Sequence, residues 1–355
     1  MSTVASAAIT FAPAVSYSTG SPGGPGPAAE SMVAVDLDND GDADVVAADW
    51  WSTGIRTFKN NGNGTFGAAI VTNLGAYTGT GSVSAADFNG DGKADVAVTT
   101  GSEIIILRGL GNGSFSETER HAHTPSGQMQ AYTFETNNDG RVDIVAPTGS
   151  GVQTFLGLGN GRFVKGPLTP VTGLMSATAK ANFNNDGIAD IALADAAGMQ
   201  AILLRGNGDG SFTQFASSTL GLGPEDLTAG DLNGDGIDDL ASADSFSFTM
   251  SVLLSNGQGG FDAATRYVGV AGPVSLRMAD FDRDGDRDIV VSSVMTPGVQ
   301  VYTNDGSGGF GTLPMQVQTT FEPQTPAIAD YNRDGKLDFA VAGPAQMSIL
   351  INTSP

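Results

Sequence analysis

Residues 87–95 read Asp-Phe-Asn-Gly-Asp-Gly-Lys-Ala-Asp, and residues 111–115 read Gly-Asn-Gly-Ser-Phe. The first stretch follows a nine-position pattern: an acidic residue or Asn, any residue, Asp or Asn, any residue, Asp, Gly, two further residues, and Asp. A sequence that repeats itself at a fixed period is typical of a repeat architecture. The pattern recurs seven times, 47 to 51 residues apart, with copies that begin at Asp36, Asp87, Glu135, Asn182, Asp231, Asp280 and Asp330.

A second motif, Gly-x-Gly-x-Phe, recurs at the same period. Two independent motifs that share one period are strong evidence for a repeat of about 49 residues. The copies of the second motif end at Phe66, Phe115, Phe163, Phe212, Phe261 and Phe310.

Each repeat contains four short runs that have the composition of β-strands. In the second copy these runs are residues 83–86, 95–98 and 103–107, followed by a fourth that begins at Phe115. Runs of apolar and β-branched residues bounded by Gly, Asn and Asp are typical of strands. Four strands in about 49 residues form one propeller blade. The sequence therefore predicts an all-β fold, a seven-bladed β-propeller of four-stranded blades, as a single domain over residues 1–355.

The seventh copy lacks its fourth strand. After Asp338 it has apolar runs at residues 339–342 and 347–351 and no more. The segment 8–18 begins with an apolar run in which Phe11 stands where the repeat has its turn Phe. We therefore expect segment 8–18 to complete blade seven and close the ring, which removes an open sheet edge. The Gly- and Pro-rich stretch from Gly20 to Pro27 is then an enlarged loop between blades.

Composition excludes several classes of function. The chain has 16 Lys and Arg against 38 Asp and Glu, a net charge of −22, which argues against a nucleic-acid partner. No apolar run is long enough to span a membrane, so no membrane insertion is expected. There is no cysteine, which excludes disulfides and thiol chemistry. Residues 1–10 lack the pattern of a signal peptide, so a removed signal and an unconventional export route both stay open.

The Asp-rich loops have the composition of cation sites. Side-chain oxygens at positions 1, 3, 5 and 9 and a carbonyl at position 7 can surround an oxygen-loving cation, and Gly at position 6 permits the sharp turn. Strands flank the loops and no Glu stands at position 12, so these loops are not EF-hands. Hard oxygen donors favour Ca²⁺ over zinc or copper, and Mg²⁺ demands a tighter geometry.

The charge count agrees with this interpretation. Positions 1, 3, 5 and 9 hold 22 carboxylates, which equals the size of the net charge. We expect up to seven structural Ca²⁺ ions and, from their affinity range, an extracellular setting. The predicted ligands are Asp36, Asp38, Asp40, Asp42, Asp44, Asp87, Asn89, Asp91, Lys93, Asp95, Glu135, Asn137, Asp139, Arg141, Asp143, Asn182, Asn184, Asp186, Ile188, Asp190, Asp231, Asn233, Asp235, Ile237, Asp239, Asp280, Asp282, Asp284, Asp286, Asp288, Asp330, Asn332, Asp334, Lys336 and Asp338.

The alternative is that some loops are Asx-turn hairpins without an ion. It is weakest for the first and sixth loops, each of which has four carboxylates. It is strongest for the fourth loop, where Asn182 and Asn184 remove two charges. Glu135, which is longer than Asp, alters the geometry of the third loop.

These motifs resemble FG-GAP/VCBS repeats, and the resemblance covers essentially the whole chain. The chain is similar to the propeller of integrin α-subunits and to seven-bladed fungal lectins of the Psathyrella velutina type. In those lectins the repeat binds N-acetylglucosamine-type sugars between neighbouring blades. The same repeat occurs in adhesion proteins and in accessory modules of carbohydrate-active enzymes, so the resemblance implies a fold and leaves the function open.

Strand parity places a candidate binding surface opposite the Asp loops. The loops from second to third strands vary in sequence there, and variable loops on a rigid scaffold often bind ligands. Trp50 and Trp51 stand in one such loop, where an aromatic ring beside a carboxylate suits a sugar; packing between blades is the alternative. Tyr77 and Phe246 are weaker candidates. The thirteenth residue after each loop start is Asp49, Thr100, Thr148, Asp195, Asp244, Ser293 or Gly343, and its polar side chains either bind a hydroxyl-rich ligand or cap a turn.

Catalysis is not expected. His121 and His123 share one face of a strand but have no third metal ligand, and no nucleophile or phosphate-binding motif is present. We expect a calcium-stabilised, non-catalytic module that binds a glycan or glycoprotein. The alternatives are a protein-binding adhesion propeller, and an accessory domain or enzyme that acts on polysaccharide.

Overall fold

The computed structural model describes residues 9–19, 31–48, 53–75, 79–124, 130–269, 271–311, 314–343 and 345–355. Across these ranges the secondary structure consists of strands and turns, and no helix is long and apolar enough to cross a membrane. Twenty-eight strands form seven sheets of four antiparallel strands each. The predicted all-β, seven-bladed propeller is confirmed.

Blades one to four follow the chain from the inner strand outward. Blade one is β2 (Ser31–Val35), β3 (Asp44–Ala48), β4 (Gly54–Phe58) and β5 (Ile70–Asn73). Blade two is β6 (Thr80–Ala86), β7 (Asp95–Thr100), β8 (Glu103–Gly109) and β9 (Phe115–Ala122). Blade three is β10 (Tyr132–Phe134), β11 (Asp143–Thr148), β12 (Gly151–Gly157) and β13 (Phe163–Pro170). Blade four is β14 (Met175–Ala181), β15 (Asp190–Asp195), β16 (Gln200–Gly206) and β17 (Phe212–Thr219).

Blades five and six have the same order, and blade seven combines strands from both ends of the described chain. Blade five is β18 (Pro224–Gly230), β19 (Asp239–Asp244), β20 (Thr249–Leu253) and β21 (Thr265–Val268). Blade six is β22 (Pro273–Ala279), β23 (Asp288–Ser293), β24 (Val299–Tyr302) and β25 (Met315–Val317). Blade seven is β26 (Ala327–Ala329), β27 (Asp338–Gly343), β28 (Gln346–Leu350) and β1 (Val15–Ser18).

Strand β1 closes the ring as the sequence predicts. It pairs antiparallel with β28, with Val15 opposite Ile349. Phe11 forms an isolated bridge with Asn352, the same contact that Phe66 makes with Asn60 in blade one. Phe11 therefore occupies the position of the turn Phe in blade seven. The Gly- and Pro-rich stretch from Gly20 to Pro27 lies outside the described residues.

The core lies between adjacent blades. The second and third strands are buried on both faces; β7 is buried at every residue, for example. Val46 and Ile55 of blade one pack in one cluster with Val96 and Ile105 of blade two. Burial of each such side chain stabilises the fold by about 1.5–3 kcal/mol. Blades therefore stabilise one another through their faces.

Three Gly-x-Gly-x-Phe turns, those of blades one, three and four, also fasten their blade to the Asp loop of the preceding blade through the N–H of their second glycine. Gly64 donates its N–H to the Tyr331 carbonyl at 2.8 Å. Its φ of +75°, and a Cβ that would meet Ile351 at 2.7 Å, require glycine there. Turn Phe rings pack on the second residue of the preceding loop in four pairs: Phe66 on Tyr331, Phe163 on Phe88, Phe261 on Phe183 and Phe11 on Phe281.

Candidate functional site

The Asp loops and the Gly-x-Gly turns lie together on one face of the ring. A Cβ on Gly62 would lie 2.6 Å from the Asp42 carboxylate, and one on Gly111 would lie 3.0 Å from Lys93. Asp42 and Lys93 both stand at position 7 of their loops. The face therefore concentrates the acidic residues, and the connections between second and third strands lie on the opposite face.

The position-1 carboxylate shapes its own loop. Asp36 accepts hydrogen bonds from the N–H groups of Asn39 at 2.7 Å and Gly41 at 2.9 Å. Asp87 accepts the corresponding bonds from Gly90 at 2.7 Å and Gly92 at 2.8 Å. Position 4 adopts the left-handed conformation, with a φ of 60° at Asn39, which only Gly and Asn adopt readily. These turns hold the carboxylates in a cluster.

The position-9 Asp has a structural role that the sequence analysis did not detect. Asp338 accepts the N–H of Tyr331 at 2.9 Å with one oxygen and the N–H of Asn352 at 2.7 Å with the other. It thereby ties the loop to the end of the third strand. The same pair of bonds recurs in every blade, and these residues are at most 1% exposed. They are Asp44, Asp95, Asp143, Asp190, Asp239, Asp288 and Asp338.

Burial raises the pKa of several of these carboxylates and so disfavours their ionised form. Desolvation raises the pKa of Asp288 to about 7, and the two backbone N–H groups that it accepts offset part of this rise. Desolvation likewise raises the pKa of four other position-9 residues to about 6, and nearby carboxylates in the same loops add to the rise. They are Asp44, Asp190, Asp239 and Asp338.

Two loops bring their acidic side chains close enough to hold one cation. The carboxylate oxygens of Asp36, Asp38 and Asp40 lie within 4.8 Å of one another. The same holds for Asp280, Asp282 and Asp288 in loop six. One oxygen of Asp38 and one of Asp280 are buried without a hydrogen-bond partner. Because an unpaired buried oxygen is costly, both clusters fit a hard cation such as Ca²⁺.

Hydrogen bonds and basic side chains satisfy acidic oxygens in the other loops as well. Each position-5 carboxylate accepts the N–H of position 7, for example Asp91 from Lys93 at 3.1 Å and Asp139 from Arg141 at 2.9 Å. Arg108 also lies 3.1 Å from Asp91. Within the described ranges, loops two to five and seven form no cluster of three acidic groups like those of loops one and six. Cation binding by the predicted ligands of these five loops stays a prediction.

Basic residues also reach loop one. Lys59 contacts Asp38, and Arg333 of loop seven contacts Asp42. Arg333 also donates to the Asp40 carbonyl at 2.8 Å. Loop one is thus partly neutralised by the protein itself, while the unpartnered Asp38 oxygen still faces the cluster.

The thirteenth-position residues that the structure describes make turn-capping hydrogen bonds. Thr100 accepts the N–H of Glu103 at 2.9 Å and donates to its carbonyl at 3.1 Å. Asp244, fully buried, accepts from Ser251 and Ser242. A ligand would have to displace internal bonds of this kind. Internal hydrogen bonds are also made by Thr148, Asp195 and Ser293. The other predicted ligand-site residues, Asp49, Trp50, Trp51 and Tyr77, lie outside the described residues.

The two histidines contact groups in their own blade and in the next one. His121 lies 2.9 Å from Glu119, and its ring packs on Phe155 with centroids 5.3 Å apart. His123 pairs with the Thr124 carbonyl at 2.8 Å. Among the described residues, the two histidines belong to no cluster of three potential metal ligands.

A large cavity opens on the face opposite the Asp loops. Its volume is about 900 Å³, and its lining comes from all seven blades, so it is the mouth of the central channel. Exposed apolar side chains from blades four to six form a rim: Leu174, Met199, Leu222, Phe246 and Val294. Polar side chains form a floor: Ser82, Gln130, Ser176, Thr178, Asp226 and Arg277. Apart from Phe246, sequence reasoning missed this site, because its residues share no motif.

The FG-GAP-like repeat model matches five overlapping segments of the chain, residues 36–98, 87–146, 182–242, 231–291 and 280–341. The chain belongs to the FG-GAP-like repeat family. A search of curated protein sequences finds no match.

Solved structures share the fold of this family member. A lectin from Agrocybe aegerita, described as recognising non-reducing terminal N-acetylglucosamine, is 19% identical with a TM-score of 0.57, over 92% of this chain and 87% of the lectin. BBS1N, solved in complex with ARL6DN, is 14% identical with a TM-score of 0.68, over 98% and 97%. Virginiamycin B lyase from Staphylococcus aureus is 13% identical with a TM-score of 0.62, over 96% and 99%. Identities this low support the shared fold alone.

Proposed function

We propose that this chain is a calcium-stabilised, non-catalytic propeller that binds carbohydrate at the mouth of its channel. The observation that carries the proposal is the 900 Å³ cavity with an apolar rim and a polar floor. Ligand sites are typically concave and mostly apolar, with a few placed polar groups. A sugar needs both kinds of surface, because its ring has apolar faces and hydroxyl edges.

Phe246 is the principal aromatic contact in the proposed site. Its side chain is 74% exposed, and its ring lies over Gly223, where a Cβ would approach it to 2.8 Å. Ser245, the preceding residue, donates to Glu225 at 3.2 Å and so holds a carboxylate nearby. An exposed ring beside a carboxylate is suited to stack on a sugar face and accept from its hydroxyls.

Calcium has a structural role in this proposal. Loops one and six are short turns with one buried apolar anchor each, Leu37 and Phe281, and their clustered carboxylates repel one another. A cation bound there contributes its binding free energy to folding. The affinity of such loops suits an exterior setting with millimolar calcium, and we propose that the chain works there.

The lectin neighbour shows that a propeller of this fold can bind a carbohydrate. The shared fold is all that it contributes to the proposal. Because another neighbour is a lyase, fold alone does not separate binding from catalysis. The two histidines are engaged with groups in blades two and three, which supports a binding role.

A glycan array on calcium-loaded protein tests the proposal. Phe246→Ala should abolish or strongly weaken binding to the selected sugar, since stacking contributes a large share of the affinity. Phe248→Ala is the matched control, because Phe248 belongs to the same loop, is 46% exposed and does not line the cavity. Equal loss in both variants, or binding unaffected by Phe246→Ala, would contradict the proposed site.

A protein partner is the second candidate. The rim of Leu174, Met199, Leu222, Phe246 and Val294 forms an exposed apolar surface, and such surfaces often contact proteins. A blank glycan array from folded, calcium-loaded protein would favour this candidate.

A further inference from the structure

We propose that the floor of the channel mouth recognises a carboxylate, so that the ligand is an acidic saccharide such as a glucuronate-containing glycan. The inference rests on the proposed carbohydrate function and specifies its ligand class. It is carried by Arg277, Asp226, Gln130 and Thr178, which come from four different blades.

Arg277 has hydrogen-bonding capacity that the described residues do not use. One terminal nitrogen donates to Asp226 at 2.8 Å and to the Leu276 carbonyl at 2.7 Å, and the other donates to Gln130 at 3.3 Å. A guanidinium has five N–H donors. Two donors, the Nε–H and one Nη2–H, therefore remain beside the cavity. A carboxylate offers two oxygens that match a pair of guanidinium donors.

Asp226 has little capacity left to accept from a ligand. One of its oxygens accepts from Ser275 at 2.6 Å, from the Leu276 N–H at 3.1 Å and from Arg277. The other accepts the Leu227 N–H at 2.9 Å. The negative charge of Asp226 is thus held by internal donors, and Arg277 is not fully engaged in neutralising it.

Thr178 adds a second observation that points to a ligand. It lines the cavity and is 1% exposed, yet its hydroxyl has no hydrogen-bond partner in the protein. Buried polar groups almost always have a partner, so a group in the channel is expected to supply one. The Gln130 amide nitrogen, which makes no hydrogen bond to the described residues, provides a further donor at the floor.

Around Arg277 the mouth is therefore rich in donors and poor in free acceptors, whereas the exposed carboxylate of the lining, Glu225, lies with Ser245 next to Phe246. A neutral sugar presents hydroxyls that must donate as well as accept, and donors would face the Arg277 guanidinium. A carboxylate only accepts. The balance of donors and acceptors thus favours an acidic sugar over a neutral one.

The test compares a glucuronate-terminated oligosaccharide with its methyl ester by calorimetry on the calcium-loaded full chain. The ester keeps the sugar and removes the charge. We expect the acid to bind about tenfold more tightly, because hydrogen bonds to charged groups are stronger. Added salt should reduce this difference. Equal affinity for acid and ester would overturn the carboxylate inference and leave the carbohydrate proposal standing.

Matched variants locate the effect. Thr178→Val removes the unpartnered hydroxyl and should weaken acid binding several-fold without loss of thermal stability. Thr57→Val is the control, because Thr57 in β4 also has a fully buried, unpartnered hydroxyl and does not line the cavity. If Thr178→Val and Thr57→Val bind the acid with equal affinity, the inference is contradicted.

The double variant Arg277→Gln with Asp226→Asn supplies a second arm that removes both charges together, and it should abolish the preference for the acid. Retention of that preference would overturn the inference. If no saccharide, acidic or neutral, binds to the folded protein, the inference and the proposed function fall together.

Discussion

The ring of Phe66 in blade one packs edge-on against the ring of Tyr331 in blade seven, with centroids 5.4 Å apart. Both residues are buried, and the N–H of Gly64 donates to the Tyr331 carbonyl beside them. The first and seventh blades are therefore joined by a contact on the acidic face.

Phe66→Ala should destabilise the whole ring. Removal of a buried Phe leaves a cavity and typically costs about 3–5 kcal/mol. Thermal unfolding of the calcium-loaded protein measures the loss. Phe248→Ala, at a position 46% exposed, should leave the melting temperature nearly unchanged, and a similar loss in both variants would argue against closure through Phe66.

Calcium titration of chelator-treated protein should reveal two tight sites, in loops one and six. Asp282→Asn should remove one of them because it takes a charge from the loop-six cluster. Asp186→Asn in loop four, which forms no such cluster, is the control and should retain both. Seven equivalent tight sites would contradict this expectation.

Removal of calcium should lower the melting temperature by many degrees, because the ordering free energy of the acidic loops is then lost. A melt with excess chelator, compared with the calcium-loaded protein, measures the change. Replacement of the chelator by excess calcium should restore the original transition. An unchanged melt in chelator would argue against a structural role for the ion.

The calcium-free protein should become less stable as the pH rises from about 5 to 8. The folded-state pKa of Asp288 is about 7 and that of Asp44 about 6, both above the ordinary value of 3.8. The folded state therefore favours their protonated forms. Their contribution to stability is fully present below about pH 4 and is lost as the pH passes through 6 to 7. Calcium should reduce this slope by the share of loops one and six, since a cation stabilises the ionised form, and the share of Asp190, Asp239 and Asp338 should remain. Thermal melts in chelator that stay flat or rise with pH would contradict the assignment.

Thr100→Val and Thr148→Val should cost stability and leave ligand binding unchanged. Each hydroxyl caps the turn between a second and a third strand. Loss of such a bond costs about 1 kcal/mol. Thermal melts and the glycan array together check this prediction. If either variant loses ligand binding but keeps its full thermal stability, the altered residue belongs to the ligand site.

The sequence predicts the fold well because the repeat determines it locally. The period of the repeat predicts the number of blades. Phe11 stands where the turn motif has its Phe, and so marks the segment that supplies the missing fourth strand of blade seven. A pattern repeated seven times also averages out the ambiguity of any single strand.

The binding surface was far less predictable. Arg277 and Asp226 belong to different repeats, and each stands in an inner strand without a shared motif. Only the closed ring brings them to one channel mouth. The position-9 carboxylates illustrate a different limit: an Asp at a ligand-like spacing can equally accept two backbone N–H groups, and spacing alone does not distinguish the two roles.

The pairing of β1 with β28 joins residues very distant in the chain; Ser16 and Ser348, whose hydroxyls are 2.7 Å apart, are separated by 332 positions. During synthesis, β1 must therefore wait for its partner until nearly every blade has been made. Contacts of such long sequence separation form slowly. Blade edges left open in that interval are the places where a nascent chain associates wrongly. The strand that completes the ring thus also determines how long the folding chain is vulnerable.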